Sequence, residues 1–92
     1  NTFTSCKGTT LTVGQTSGPA GGNTFSGCKF TTSAAINDGD ANRMVNCTIG
    51  SSGSGTLTIA AAADRTVVGN NSTGVAIVDN SATSVLANNG LI

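Results

Sequence analysis

The sequence predicts an all-β solenoid, because one short phrase recurs five times and apolar residues alternate between clusters of turn formers. The phrase starts at intervals of 22, 19, 23 and 18 residues, at Asn1, Asn23, Asn42, Arg65 and Thr83. A repeat of about 20 residues whose length varies only by loop insertions is typical of stacked units. Residues 1–92 are therefore expected to form a single β-helical unit of four to five rungs, as part of a larger parent chain.

The first strand of each rung carries one apolar residue two positions after the start of the phrase. Strict alternation along a strand predicts that these five side chains point inward: Phe3, Phe25, Met44, Val67 and Val85. The polar residues that start the phrase share this face and are expected at the corner where the strand begins.

Small polar residues follow three positions after the apolar residue. Neighbouring rungs lie about 4.8 Å apart, so equivalent side chains of successive rungs touch. Asn fits such an inner corner because its amide both donates and accepts hydrogen bonds, and Cys fits as a small apolar side chain. The predicted ladder is Cys6, Cys28, Cys47, Asn70 and Asn88. A leucine-rich repeat is rejected, because no Leu stands five residues before these positions.

A second strand is predicted after most of the ladder residues. Its inward pairs are Leu11 and Val13, Leu57 and Ile59, and Val75 and Ile77, while Phe30 and Ile49 match each other. Ala34 and Ile36 fit the same pattern, but each lies one residue further from Cys28 than Leu11 and Val13 lie from Cys6. The length differences fall in three segments rich in turn formers, 14–22 (which contains Pro19), 37–41 and 50–55.

Composition excludes several classes of function. Only 9% of the residues are charged and the net charge is zero, so we expect no nucleic-acid partner. No apolar run reaches 18 residues, so no membrane insertion is expected. The sequence contains no His, which removes an imidazole base and the usual zinc ligands, and no cofactor is expected. The chain begins at Asn with no visible signal peptide, so it is expected to be a fragment or a processed product.

The rungs of the form Asn-x-Phe-x-x-Cys, together with the run from Val67 to Asn80 and on to Gly90, resemble the right-handed parallel β-helices of the pectate-lyase-like superfamily. More narrowly, they resemble the late rungs of bacteriophage tailspikes. The resemblance implies a right-handed helix, a homotrimer and a place in the virion tail. It does not fix the activity, because lyases, hydrolases, adhesins and structural spikes share this rung pattern. No catalytic motif of the superfamily is present.

Four groups of residues are candidates for chemistry. Asp40 and Asp64 precede their repeat starts and are weak candidates for a catalytic carboxylate pair. Asp38 and Asp40 resemble half of a calcium loop, for which a corner turn is the simpler reading. The three Cys are expected to be buried free thiols, which implies assembly in a reducing bacterial cytoplasm. The pairs Thr10/Thr12 and Thr56/Thr58 resemble the threonine arrays of ice-binding solenoids.

The leading functional hypothesis is a structural β-helical segment of a trimeric phage tailspike or tail fibre that contacts bacterial surface polysaccharide. The first alternative is a segment of a polysaccharide-degrading enzyme, either a hydrolase or a lyase. The second is an ice-binding or adhesin solenoid. A short stack leaves both ends of its core uncovered, so the chain is also expected to associate with copies of itself.

Overall fold

The computed structural model describes residues 1–14 and 21–92, so Pro19 and most of its connector lie outside the described residues. Parallel sheets stack into a β-solenoid of about four turns, as the repeat predicts. None of the described residues belongs to a helix that could cross a membrane. In chain order the strands are β1 (Thr2–Thr4), β2 (Lys7–Val13), β3 (Thr24–Ser26), β4 (Lys29–Ile36), β5 (Gly39–Asp40), β6 (Arg43–Val45), β7 (Thr48–Ile49), β8 (Thr56–Ile59), β9 (Ala63–Asp64), β10 (Val67–Gly69), β11 (Ser72–Thr73), β12 (Val78–Asp79), β13 (Val85–Ala87) and β14 (Gly90–Leu91).

The first sheet contains the repeated phrase, with one strand from each rung in the order β1-β3-β6-β10-β13. Its inward column is in register through Phe3, Phe25, Met44, Val68 and Leu86. The prediction of Val67 and Val85 at this position was wrong by one residue. Val68 is fully buried, whereas Val85 is 56% exposed. In the last two rungs two apolar residues are adjacent, so the alternation of inward and outward residues fits either of two registers.

The second sheet confirms the register predictions of the first three rungs, whereas the pair Val75 and Ile77 was wrong by two residues, because Asp79 and not Ile77 pairs with Ile59. Phe30 pairs with Ile49, and Ala34 and Ile36 align with Leu57 and Ile59. The one-residue delay in the second rung is a register shift between β2 and β4 that falls between Gly8 and Thr10. An extra residue in one strand of a pair is accommodated as a β-bulge, which leaves the following inward residues in line.

The inserted residues of the third rung form a small hairpin that leaves the stack undisturbed. Ser51 and Ser54 exchange backbone hydrogen bonds of 2.7 and 2.9 Å. β7 before the hairpin and β8 after it both pair with β4. The segment 50–55 therefore takes up the length difference, as predicted.

Two of the corners turn through residues in the left-handed region of backbone space. The corner after the first sheet does so at φ of 55 to 64° in every rung, and the corner before it does so at Gly22, Ala41 and Arg65. Asn tolerates this conformation better than most residues with a side chain. The residues of the first corner are Ser5, Gly27, Asn46, Asn70 and Asn88.

The core is one column of apolar side chains that runs along the axis of the stack. The middle rungs supply its fully buried members, such as Ile36, Met44, Ile49, Leu57 and Ile59. The first and last rungs are exposed instead, because each has a neighbour on one side only. Their large apolar side chains remain partly in solvent: Phe3, Leu86, Leu91 and Ile92.

We predict that Gly74→Ala lowers the free energy of unfolding by about 1–3 kcal/mol, the usual cost of overpacking. A Cβ atom at this buried position would overlap the carbonyl oxygens of Ser51 and Ser54 in the hairpin. Gly90→Ala is the matched control, because a Cβ atom there meets nothing within 4 Å. Urea denaturation of both variants tests the packing, and equal stability of the two would contradict it.

Candidate functional site

The inner ladder lies at the corner between the two large sheets, and its last two members differ from the prediction. Cys6, Cys28 and Cys47 occupy it as expected. The fourth and fifth members are Asn71 and Asn89, because the register of the first sheet is shifted by one residue. Asn70 and Asn88 precede them at the left-handed corner position and are exposed.

Asn71 makes the central contacts of this ladder. Its Oδ1 accepts a hydrogen bond of 2.8 Å from the buried N–H of Cys47, and its Nδ2 donates to the carbonyl of Met44 at 2.9 Å. The same Nδ2 and the backbone N–H of Asn71 donate to Oδ1 of Asn89 at 3.1 and 3.0 Å. Each ladder amide thus accepts the corner N–H of the rung before it, so the side chain joins two rungs.

The thiols fill the same position in the first three rungs. Those of Cys28 and Cys47 are buried and donate back to the preceding rung, to the carbonyl of Phe3 at 3.5 Å and that of Phe25 at 3.6 Å. Burial raises the pKa of the Cys47 thiol. Cys6 is a free thiol at the same ladder position but is exposed, so the prediction that all three are buried was wrong for it. Among the described residues, β1 and β2 are the outermost strands of the stack on this side, and no described strand covers the Cys6 thiol.

A second ladder lies at the corner before the first sheet. Oδ1 of Asn42 accepts hydrogen bonds from the backbone N–H and Nδ2 of Asn23, at 3.1 and 3.2 Å. Thr66 takes the place of Asn42 in the next rung, and its buried Oγ1 has no hydrogen-bond partner among the described residues. The alignment of the repeated phrase predicts Arg65 at this position, which is one residue too early.

Asp40 and Asp64 are in register on β5 and β9, so their backbones lie side by side on neighbouring rungs. Their surroundings are those of a surface ion pair. Nε of Arg65 donates to Oδ1 of Asp40 at 2.7 Å, and the other guanidinium nitrogen contacts Oδ2. Both side chains are more than half exposed. Both oxygens of the Asp40 carboxylate are therefore bound by the guanidinium group of Arg65.

The hydrogen bonds from Arg65 lower the pKa of Asp40 below its ordinary value. A carboxylate with a lowered pKa in the folded state contributes stability at pH values above its unfolded pKa. This contribution is lost as the pH falls through the lowered folded pKa. Its size is small, because solvent screens an exposed pair.

The metal candidates Asp38 and Asp40 do not gain a third ligand. Oδ1 of Asp38 accepts the backbone N–H of Gly39 at 2.7 Å, which is a turn contact. Within residues 1–14 and 21–92, no three His, Cys, Asp or Glu side chains are grouped closely enough to hold a metal ion. Within the segment 37–41, Gly39–Asp40 form the short strand β5, which pairs with β9, and the residues on either side of it form the bends.

The threonine pairs share one outward face of the second sheet. Thr10, Ser33 and Thr56 are in register across β2, β4 and β8, and so are Thr12, Ala35 and Thr58. Ser33 continues one hydroxyl column through the rung that lacks the Thr-x-Thr pattern. The other column is interrupted at Ala35.

Three further features were not singled out from the sequence. Lys7 and Lys29 are in register on neighbouring strands and face outward. A cavity of about 320 Å³ at the first rung is lined by Phe3, Leu11 and Phe30, and one of about 410 Å³ at the last rung is lined by Ile77, Leu86 and Leu91. These cavities are the uncovered ends of the core. The small number of rungs predicts that the ends are uncovered, but it does not predict the shape of the cavities.

No protein-family model, curated protein or solved structure matches this chain.

We predict that Asn71→Ala destabilises the protein by about 2–3 kcal/mol, because it leaves the buried N–H of Cys47 without its acceptor. The control is Asn70→Gly, one residue earlier. Asn70 is exposed at φ 55°, a conformation that Gly adopts without strain, so its replacement is expected to change stability by less than about 0.5 kcal/mol. Thermal and urea unfolding measure both variants. A larger loss of stability for Asn70→Gly than for Asn71→Ala would place Asn70 in the ladder instead of Asn71.

We predict that one of the three thiols reacts in the native state. Cys6 is exposed, whereas Cys28 and Cys47 are each 1% exposed. Ellman titration is expected to count one fast thiol in the folded protein and three after denaturation. Cys6→Ser is the control that removes the fast phase. Rapid labelling of all three native thiols would contradict the buried ladder.

Proposed function

We propose that this chain is a structural β-helical segment of a trimeric spike or fibre of the bacteriophage tailspike type, with a role in attachment to bacterial surface polysaccharide. The observation that carries the structural part is the uncovered core at both ends of the stack. Large apolar side chains are exposed in both terminal rungs, where Leu91 is 67% and Phe3 38% exposed. A segment of this shape is stabilised by neighbours that continue the stack or pack beside it.

The flank of the first sheet supports association with copies of the chain. The outward residues of its last two rungs are Val67, Gly69, Val85 and Ala87, so this part of the flank is an apolar, uncharged strip, and Arg43 lies beside it in the third rung. Flat apolar strips of this kind pack against each other when copies lie side by side. With a net charge of zero, the chain has no overall electrostatic repulsion that opposes such packing.

The polysaccharide part of the proposal has support of a different kind. Lys7 and Lys29 stack in register on the outside of the second sheet, where they present two adjacent positive charges. Acidic polysaccharides carry repeated negative charges that such a pair attracts, and this attraction is sensitive to salt.

The main rival is a polysaccharide-degrading segment that uses Asp40 and Asp64. Their in-register backbones favour it, and the bidentate contact between Asp40 and Arg65 opposes it. A general acid needs a raised pKa, whereas the pKa of Asp40 is lowered. The structural function is therefore the better supported of the two.

Sedimentation equilibrium at micromolar concentration tests the assembly. We predict a species of three times the 8.9 kDa chain mass. Val85→Lys places a charge on the flank strip and is expected to raise the dissociation constant by about tenfold or more, a cost of about 1.4 kcal/mol. Leu91→Lys places the same charge at the end of the stack and is expected to leave the trimer intact. A stable monomer would defeat the proposal, and dissociation by Leu91→Lys alone would assign the contact to the ends.

A further inference from the structure

Two lysines lie side by side at the start of the second sheet, apart from the carboxylate side chains of the protein. Lys7 and Lys29 are exposed and in register on strands about 4.8 Å apart. Three of the four Asp residues lie on or beside β5 and β9, and the fourth, Asp79, is in register with Ile59 at the far end of the second sheet. Among the described residues, neither lysine forms an ion pair.

The two lysine charges repel each other in this arrangement, because like charges at directly paired positions of neighbouring strands are destabilising. An anionic group between the two ammonium groups removes this repulsion. The flexible stems of the lysines allow both ammonium groups to donate hydrogen bonds to the same anion. The pair is therefore suited to a carboxylate, sulfate or phosphate group of a ligand.

The β-bulge beside the lysines brings additional hydroxyl groups to the same face. The register shift sets Thr31 and Thr32 of β4 opposite the single residue Thr9 of β2. Thr31 and Thr32 are both exposed, although the regular alternation of a strand would bury one of them. Together with Thr9 and Thr10, they place four exposed hydroxyl groups next to the lysine pair. Bulges are frequent beside functional sites, where they re-aim a side chain in this way.

The surface that carries these side chains faces away from the axis of the stack. Further rungs above or below would extend this surface and would not cover it. On the side of the third rung it is bounded by the hairpin of residues 50–55, since β7 and β8, which flank the hairpin, pair with β4 on either side of the bulge. The site is thus a patch on the flank of the stack, with two positive charges at one end and hydroxyl groups beyond them.

We infer that an acidic sugar residue of an anionic polysaccharide binds at this lysine–threonine patch, which is formed by Lys7, Lys29, Thr9, Thr10, Thr31 and Thr32. The two lysines hold the acid group, and the threonine hydroxyls exchange hydrogen bonds with the hydroxyl groups of the same and the adjoining sugar. The inference rests on the proposed attachment to polysaccharide, and it adds the site and the class of sugar. A neutral glycan lacks the group that the lysines bind, and a small anion lacks the hydroxyl groups that the threonines bind.

Titration of the ¹⁵N-labelled full chain with trigalacturonic acid tests this site. Exposed contacts of this kind are expected to give a dissociation constant on the order of millimolar. The trisaccharide is expected to shift the amide signals of Lys7, Lys29 and Thr32, and to leave those of Arg43 and Val67 in the first sheet unchanged. Maltotriose, which has the sugars without the charge, and citrate, which has the charge without the sugars, are each expected to bind about fivefold more weakly.

Three variants separate the patch from general charge effects. Lys29→Gln is expected to weaken the binding of trigalacturonic acid about threefold. Arg43→Gln removes the same charge from the outward face of the first sheet, and is expected to leave the affinity unchanged. Thr32→Val keeps the shape of the side chain and removes its hydroxyl group. It is expected to weaken the binding of the trisaccharide about threefold and to leave the binding of citrate unchanged.

The outcomes distinguish the patch from the proposed function on which it rests. Saturable shifts centred on Arg43, equal losses of affinity in Lys29→Gln and Arg43→Gln, or equal affinity for maltotriose would overturn the patch and leave attachment to polysaccharide standing. No saturable shift at any residue would overturn both. The trimer is measured separately by sedimentation, and its presence or absence does not alter either result.

Discussion

At the corner between the two large sheets, the third and fourth rungs each turn with a backbone N–H that needs an acceptor from the protein. The chain meets this constraint with the side chain of the next rung. The N–H of Cys47 donates to Asn71 and the N–H of Asn71 donates to Asn89, both at the same corner. A buried donor left unpaired costs about 1–3 kcal/mol. The side chain that removes this cost also fixes the register of two rungs.

The ladder changes from Cys in the first three rungs to Asn in the last two, and the contacts at the corner change with it. In the first three rungs the thiols of Cys28 and Cys47 donate to carbonyls of the preceding rung, and in the last two rungs an amide also accepts. A thiol fills the space with a weak hydrogen bond, whereas an amide satisfies strong ones. The upper half of the stack is thus joined by amides, and the lower half depends more on apolar packing such as the stacked rings of Phe3 and Phe25, 4.9 Å apart.

The sequence predicts the solenoid, the inward residues of the second sheet in the first three rungs and the place of the hairpin, because these depend on periodicity and on turn formers. It fails where the same residue type occurs twice in succession. Val67–Val68, Asn70–Asn71 and Asn88–Asn89 each satisfy the pattern in two registers, and only the hydrogen bonds between rungs choose one. It also fails for Cys6, since a repeat pattern treats the first rung as if another lay below it. Of the candidate charges, the pairing of Asp40 with Arg65 is predictable from the repeat spacing.

The stability of such a stack is decided at its ends more than in its middle. An internal rung is covered on both sides, and its core residues, such as Met44 and Ile49, are fully buried. The last rung leaves Leu86 40% and Leu91 67% exposed. Full burial of a side chain of this size contributes about 1.5–3 kcal/mol, so covering one end is worth a sizeable fraction of the stability of a small domain. Local opening therefore begins at the ends and proceeds inward rung by rung. A partner that covers an end stabilises the rungs beneath it as well, because each rung depends on its neighbour for hydrogen bonds and for burial.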